Sequence, residues 1–173
     1  MIDYSWNERF LDLFNRCREQ YQRGNTNFNS WYSEEDLSFL RGIGCKPHEL
    51  FDFVEDHGPD MSASTALLVA AVRRSYFLQV QGGKPSRLEI HREQFPPKPE
   101  ALAGVPWLPR IIAKARAKLR GEMPHDIMYG CGGDRAFLTK FDIPPADFLQ
   151  VVWNAGEDDQ QIVDYVKSRK AVA

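Results

Sequence analysis

The stretch that decides the reading of this chain is Trp107–Leu138, WLPRIIAKARAKLRGEMPHDIMYGCGGDRAFL. It holds the clearest helix pattern, the densest positive charge and a cysteine flanked by glycines. Pro109 suits the first turn of a helix, where a missing N–H costs nothing and the fixed φ is already helical. Leu108, Ile111, Ile112, Ala115 and Leu119 recur at three- and four-residue spacing and therefore share one face. Arg110, Lys114 and Lys118 form a stripe beside that face, and Arg116 and Arg120 lie on its other flank. The plain reading is a core helix whose long basic side chains lie over apolar surface with their charged heads in water. The sharper reading is an anion-binding surface for phosphate, carboxylate or nucleic acid.

Gly121 closes that helix, and Met128-Tyr129-Gly130-Cys131-Gly132-Gly133-Asp134-Arg135 follows. Asp134 and the apolar pair Phe137-Leu138 mark the start of another helix. Glycines admit positive φ and let a ligand approach the backbone closely. A helix N-terminus offers backbone N–H groups and partial positive charge to an anion. A thiol placed there carries more thiolate and is a better nucleophile. Against this stands a plain alternative: cysteine is commonly buried and inert, and Gly-Gly is an ordinary turn. The candidate site is therefore Cys131 as nucleophile, with Arg110, Lys114, Tyr129, Gly132, Gly133 and Arg135 as ligand-binding residues.

The chain has 173 residues, a formal net charge of −2 and three cysteines. Its length and apolar content predict one domain or two tightly fused halves with a real core. A net charge near zero argues against a dedicated nucleic-acid binder. Three widely spaced cysteines make no disulfide framework, and reduced cytoplasmic thiols are the simpler expectation. With acidic Asp3 and Glu8 and no apolar run, the N-terminus does not read as a signal peptide. The longest apolar run, Ala66–Val72, is too short to cross a bilayer, so no membrane association is expected.

Upstream, Ser5-Trp6-Asn7-Glu8 matches a capping box ahead of Phe10, Leu11, Leu13, Phe14, Cys17 and Tyr21, with Gly24 as the stop. Ser33-Glu34-Glu35-Asp36 caps a helix through Phe39-Leu40 that ends near Gly42-Ile43-Gly44. Pro47 starts a third helix, with Leu50, Phe51, Phe53 and Val54 inward. Ser62 caps a fourth over Ala63–Gln81, closed by Gly82-Gly83. Arg87–Glu93 reads as a short strand, and Pro96-Pro97-Lys98-Pro99 as a stiff strap.

Sliding the chain on itself by 98 positions gives an ungapped match. Asp36, Phe39, Leu40, Pro47, Val54, Gly58 and Asp60 fall on Asp134, Phe137, Leu138, Pro145, Val152, Gly156 and Asp158. Phe10, Leu13, Phe14, Cys17 and Tyr21 fall on Leu108, Ile111, Ile112, Ala115 and Leu119. Arg18 falls on Arg116, and Trp31 on Tyr129. The expected fold is mostly α: two duplicated helical modules with pseudo-twofold symmetry and at most a short β element. The first module is residues 1–61 and the second 105–173, joined by a helix and Pro-rich strap over 62–104.

The offset also compares the copies. Ser33-Glu34-Glu35 becomes Cys131-Gly132-Gly133, which removes two carboxylates. Asp12, Arg16, Gln20 and Gln22 become Arg110, Lys114, Lys118 and Arg120. An anion site, if the chain has one, therefore belongs to the second copy. The first copy is structural or completes the pocket from across the pseudo-dyad.

Other motifs carry less. No GxGxxG, Walker loop, HExxH or paired CxxC is present, so no cofactor and no metal are expected. His48, His57, His91 and His125 lack ligand spacing, although His125 lies close enough in sequence to approach Cys131 as a Cys–His pair. Asp134 reads as a helix cap or first-turn acid rather than a catalytic acid. Glu157-Asp158-Asp159 reads as solvated turn and cap residues, and Trp107 and Trp153 as core or inter-module anchors.

Leu108-Pro109-Arg110, Lys114-Ala115-Arg116-Ala117, Phe137-Leu138 and Val151–Asp159 together resemble a bacterial family of uncharacterised proteins known only as a domain of unknown function (DUF5069-like). The resemblance is clearest over Trp107–Val166, and the Leu-Pro-Arg helix is its distinctive part. It implies no activity, substrate or cofactor, and the Gly-flanked Cys131 loop departs from the family's pattern.

Three function classes follow. In the first, a cytoplasmic helical protein binds a small anionic ligand at the helix N-terminus beside Cys131, with Arg110 and Lys114 assisting. As an enzyme, it would attack that ligand with Cys131. In the second, a non-catalytic adaptor presents its basic helix to an acidic protein surface. In the third and weakest, the same helix binds nucleic acid.

Overall fold

Four helices at the start of the chain and four at its end follow from capping and proline signals in the sequence. The computed structural model describes residues 4–169. Its first compact unit is Met1–Lys84 and its second Pro85–Ala173.

In the first unit, α1 spans Trp6–Gln22, α2 Glu34–Gly42, α3 Pro47–Glu55 and α4 Ala63–Gln79. Ser33 caps α2 in full: its hydroxyl accepts from Asp36 N, and Asp36 returns a carboxylate to Ser33 N, the reciprocal capping box. Ser62 likewise accepts from Thr65 N at the head of α4. Pro47 sits at the head of α3, where proline is pre-set for the first turn. Ser5 is different. It precedes α1 with φ −100° and ψ 1° and makes no side-chain cap bond, so the expected box with Glu8 does not form. A cap needs an extended backbone to aim its oxygen at the third amide, and Ser5 lacks one.

Helix α1 packs on α3 and α4. Phe10, Leu13, Phe14 and Cys17 of α1 meet Leu50, Phe53 and Val54 of α3 and Ala66, Val69 and Phe77 of α4 in a core with almost no exposure. Gly44, at φ +70°, ends α2; a Cβ there would fall 2.6 Å from the Phe77 ring, so both the left-handed turn and the ring's approach require glycine.

The second unit opens with extended chain. Arg87–Glu93 is not a strand. Only Ile90 N finds a backbone partner there, Glu122 O, and Arg92–Gln94 curls into a single 3₁₀ turn. An extended segment with no neighbouring strand builds no ladder. The β element is instead a minimal hairpin, β1 (Ala101–Leu102) with β2 (Val105–Pro106), turned by Ala103 and Gly104 at φ 51° and 80°. Two left-handed central residues are what a tight hairpin turn demands.

Then come α5 (Leu108–Arg120), α6 (Gly132–Lys140), α7 (Pro145–Ala155) and α8 (Asp159–Ser168). Helix α5 packs on α7, and α7 on α8. The chain is thus mostly helical, with one two-residue hairpin among the described residues. None of the described helices is long and apolar enough to cross a membrane.

The helix pattern recurs at the predicted spacing. Helix α2 runs 34–42 and α6 runs 132–140, so both ends sit 98 positions apart. Helices α3 and α7 begin at Pro47 and Pro145, again 98 apart, and pack on α1 and α5 respectively. The left-handed residue after α2, Gly44, recurs as Asp142 at φ 52° after α6.

Burial has a consequence for pH in the first unit. The Cys17 thiol, 1% exposed, is pushed up from its ordinary 9.0 to about 12; burial is the main cause, the Arg16 charge opposes it and Asp36 adds to it. Burial also raises the nearby Tyr32 phenol. The folded state then holds the thiol proton more tightly than the unfolded chain. The stability linked to that proton is complete below about pH 9 and is lost as pH rises towards about 12. We expect the melting temperature to fall between about pH 9 and 12, and Cys17→Ala, which copies Ala115 of the second unit, to flatten that fall. Identical slopes in the two proteins would show that Cys17 titrates freely.

Candidate functional site

The site is built around Asp134, the third residue of α6. Its carboxylate is fully buried. An unpaired buried carboxylate is very costly, so its donors matter. Asp134 Oδ2 accepts from Lys114 Nζ at 2.5 Å and from Gly130 N at 2.9 Å, and Oδ1 accepts from Trp107 Nε1 at 2.9 Å. Lys114 is itself only 2% exposed. Its ammonium also donates to Cys131 Sγ at 3.2 Å. Cys131, Lys114 and Asp134 therefore form one connected cluster, with the half-buried Cys131 as its outermost member.

Local sequence explains each placement. Lys114 lies two turns into α5 on the side that meets the head of α6. Cys131 is the N-cap of α6, with extended backbone at ψ 171°, yet its side chain makes no cap bond. Gly130, at φ +86°, turns the chain so that its N–H points back to Asp134. Trp107 enters α5 at φ 73°, a left-handed conformation rare for a bulky residue. That turn lays its indole across Gly133, where an added Cβ would sit 2.5 Å from the ring.

The two units make the same joint with different parts. In the first, Arg16 Nη2 binds Asp36 Oδ1 at 2.7 Å. Arg16 is 98 positions before Lys114, and Asp36 is 98 before Asp134. Burial works to raise the Asp36 carboxyl, but the Arg16 bond and the Ser33 N–H and hydroxyl outweigh it and hold it below its ordinary value. Exposure separates the copies: the Arg16 side chain is 57% exposed and Lys114 2%. Where Ser33 caps α2, Cys131 receives Lys114. Where Arg9 reaches Glu35 across the surface, Trp107 lies on Gly133.

Of the sequence-derived site residues, Lys114, Cys131, Gly133 and, through Gly130, Arg135 lie around this cluster. Arg135 Nη1 donates to Gly130 O at 2.8 Å and so pins the turn before Cys131. Gly132 takes no close neighbour: an added Cβ would meet only the end of Arg135, at 3.9 Å. Tyr129 is fully buried, and burial, followed by the Asp134 charge, holds its phenol well above the ordinary value. Its hydroxyl donates to Pro145 O at 2.7 Å and ties the loop to α7. Its equivalent is Tyr32, which donates to Pro47 O in the same manner. The ungapped match slips by one residue here, so Trp31 is not the partner of Tyr129. Arg110 goes elsewhere: Nη1 donates to Pro96 O at 2.8 Å and fastens the Pro-rich strap.

The basic stripe does not keep its heads in water. Lys114 and Lys118 are both buried. On the other flank, Arg116 donates to Gly156 O and Asp159 Oδ1, and Arg120 to Glu157 Oε1, so Glu157 and Asp159 are pairing partners as well as turn residues. Helix α5 is enclosed on more sides than one apolar face requires, and its charges find partners in its own unit.

His125 is exposed, and it is Lys114 that lies against the Cys131 sulfur. Among the described residues, no group of three or more His, Cys, Asp or Glu side chains is placed to hold a metal. Sequence reasoning missed Trp107 and Asp134 as site members. The signal was present in the 98-residue offset, which pairs Arg16 with Lys114 and Asp36 with Asp134.

Residues 94–173 match the model of a family described as Domain of unknown function (DUF5069). The match spans the hairpin and α5–α8, so the whole cluster lies inside it. No curated protein and no solved structure matches the chain.

Burial predicts an asymmetry between the twin joints. Removing the cation from a buried pair strands a charge and costs about 3–5 kcal/mol, whereas an exposed pair contributes about 0–1 kcal/mol. Lys114→Met should therefore destabilise strongly and Arg16→Met little, read by urea unfolding. Equal losses would contradict this account of the two joints.

Proposed function

We propose that the second unit works through Cys131, as a helical protein that takes a small anionic ligand at the N-terminus of α6. The observation that carries this reading is the Lys114 ammonium, 3.2 Å from the Cys131 sulfur. A cation within hydrogen-bond distance of a sulfur at a helix N-terminus is the kind of setting in which reactive cysteines are found. The sulfur is also not committed to a cap bond, and Cys131 is half-buried rather than sealed. As a nucleophile it would form a bond to an electrophilic carbon while the leaving group departs with the thiol proton.

Arg110 plays no direct part in this reading, because its guanidinium holds the strap. Gly132 offers open backbone beside the thiol, whereas the bare Cα of Gly133 is occupied by Trp107. The adaptor reading loses support for a related reason: Arg116 and Arg120 already pair with acids of their own unit. The nucleic-acid reading loses the same charges. Cysteine stands at the head of α6 where serine caps α2, and this separates the two copies. Three free cysteines suit a reducing compartment such as the cytoplasm.

Competitive alkylation tests this directly. Cys131 should react faster than Cys45 near neutral pH, should favour iodoacetate over iodoacetamide relative to Cys45, and should be slowed by inorganic phosphate. Cys17 should remain unmodified. A Cys131 that matches Cys45 with both reagents and ignores phosphate would defeat the proposal.

A further inference from the structure

We infer that Cys131 and Lys114 form a peroxide-driven covalent switch, in which an oxidised Cys131 sulfur is captured by Lys114 Nζ as a sulfenamide. The inference rests on the reading of Cys131 as a reactive thiol and adds a co-substrate class, hydroperoxides, and a resolving group.

Three features of the cluster support it. Lys114 Nζ already lies 3.2 Å from Sγ, so an S–N bond needs only a small approach. The sequence places no second cysteine after Cys45 except Cys131, so the second unit holds no thiol to resolve a sulfenic acid as a disulfide. Asp134 Oδ2 sits on the same nitrogen and is placed to take its proton.

The chemistry balances in two steps. Cys131–SH and a hydroperoxide ROOH give Cys131–SOH and ROH, with sulfur oxidised and the O–O bond reduced. The Lys114 ammonium then passes one proton to Asp134, and its lone pair attacks sulfur. The S–O bond breaks, and the departing hydroxide takes the second nitrogen proton as water. The product is Cys131–S–NH–Lys114 beside a protonated Asp134. Condensation of a sulfenic acid with a nearby nitrogen is established cysteine chemistry. Two equivalents of an external thiol return the cysteine and the amine and leave as a disulfide.

The consequence reaches the fold. The cross-link removes the cation from the buried pair, and Asp134 keeps only the Trp107 and Gly130 donors. Oxidation therefore exchanges the ionic joint between α5 and the head of α6 for a covalent one beside a neutral Asp134. The first unit cannot follow: Ser33 stands where the thiol would be, and the guanidinium of Arg16 where the amine would be.

The test treats the full chain with hydrogen peroxide and maps tryptic peptides by mass spectrometry. The expected product joins the peptides of Lys114 and Cys131, is lighter by two hydrogen atoms, resists cleavage after Lys114 and reverts with dithiothreitol. Dimedone present during oxidation should trap the sulfenic acid and suppress the link. Lys114→Arg, which copies Arg16, should abolish the link and leave Cys131 open to dimedone; suppression by dimedone in the unaltered protein decides the matter if that variant does not fold. Oxidation of Cys131 to dimedone-reactive or sulfinic forms with no Lys114 link would overturn the inference alone, if alkylation still marks Cys131 as fast. A Cys131 that neither alkylates nor oxidises faster than Cys45 would remove the functional reading beneath it as well.

Discussion

A carboxylate at the third position of a helix, facing a cation from the long helix before it, is the constraint on which both units depend. Asp36 and Asp134 do the same structural work. Each folds back to accept a backbone N–H from the turn before its helix, and each takes a side-chain cation from α1 or α5. The bond to the turn fixes where the helix begins. The bond to the cation fixes which face of the preceding helix it meets. In the second unit the carboxylate and its cation are both buried, so a lost donor leaves a desolvated charge and the geometry is held more firmly than any single hydrogen bond would hold it, whereas the exposed Arg16 makes the first joint the weaker of the two.

The second unit buries this joint further and changes its rim. The Trp107 indole covers one side and supplies a third donor to Asp134. Gly133 is the accommodation for that indole, since any side chain there would collide with the ring. With Lys114 sealed below and Cys131 above, the ammonium is shared between oxygen and sulfur. A guanidinium at the surface, as in the first unit, serves only the carboxylate. The chemical difference between the two joints thus arises from exchanging Arg for Lys, Ser for Cys and Glu for Gly within one shared frame. Lysine, a compact charge with rotatable donors, suits two partners at different angles better than a planar fork does.

Much of the fold was legible because its signals are local. Ser33, Pro47 and Ser62 each announce a helix start through cap or proline chemistry that no distant contact overrides, and the offset carries Pro47 onto Pro145. Ser5 shows the limit: the same residue type with the wrong backbone makes no cap. The strand expected at Arg87–Glu93 failed because alternation says nothing about whether a partner strand exists. At the site, periodicity correctly grouped Arg110, Lys114 and Lys118, but it could not say that Arg110 would turn to the strap while Lys114 turned to α6. Gly133 was read as room for a ligand, and the room was taken by Trp107, 26 residues earlier in the chain. Those outcomes depend on tertiary neighbours, and only the internal offset carried information about them.

The most direct test of the shared joint is native-state hydrogen exchange of the α5 and α6 amides in a double-mutant cycle on Lys114→Met and Asp134→Leu. The account predicts that each single change sharply lowers protection in both helices, and that the double change costs less than the sum, with a coupling of about 0.5–3 kcal/mol. Additive losses, or losses confined to one helix, would contradict it.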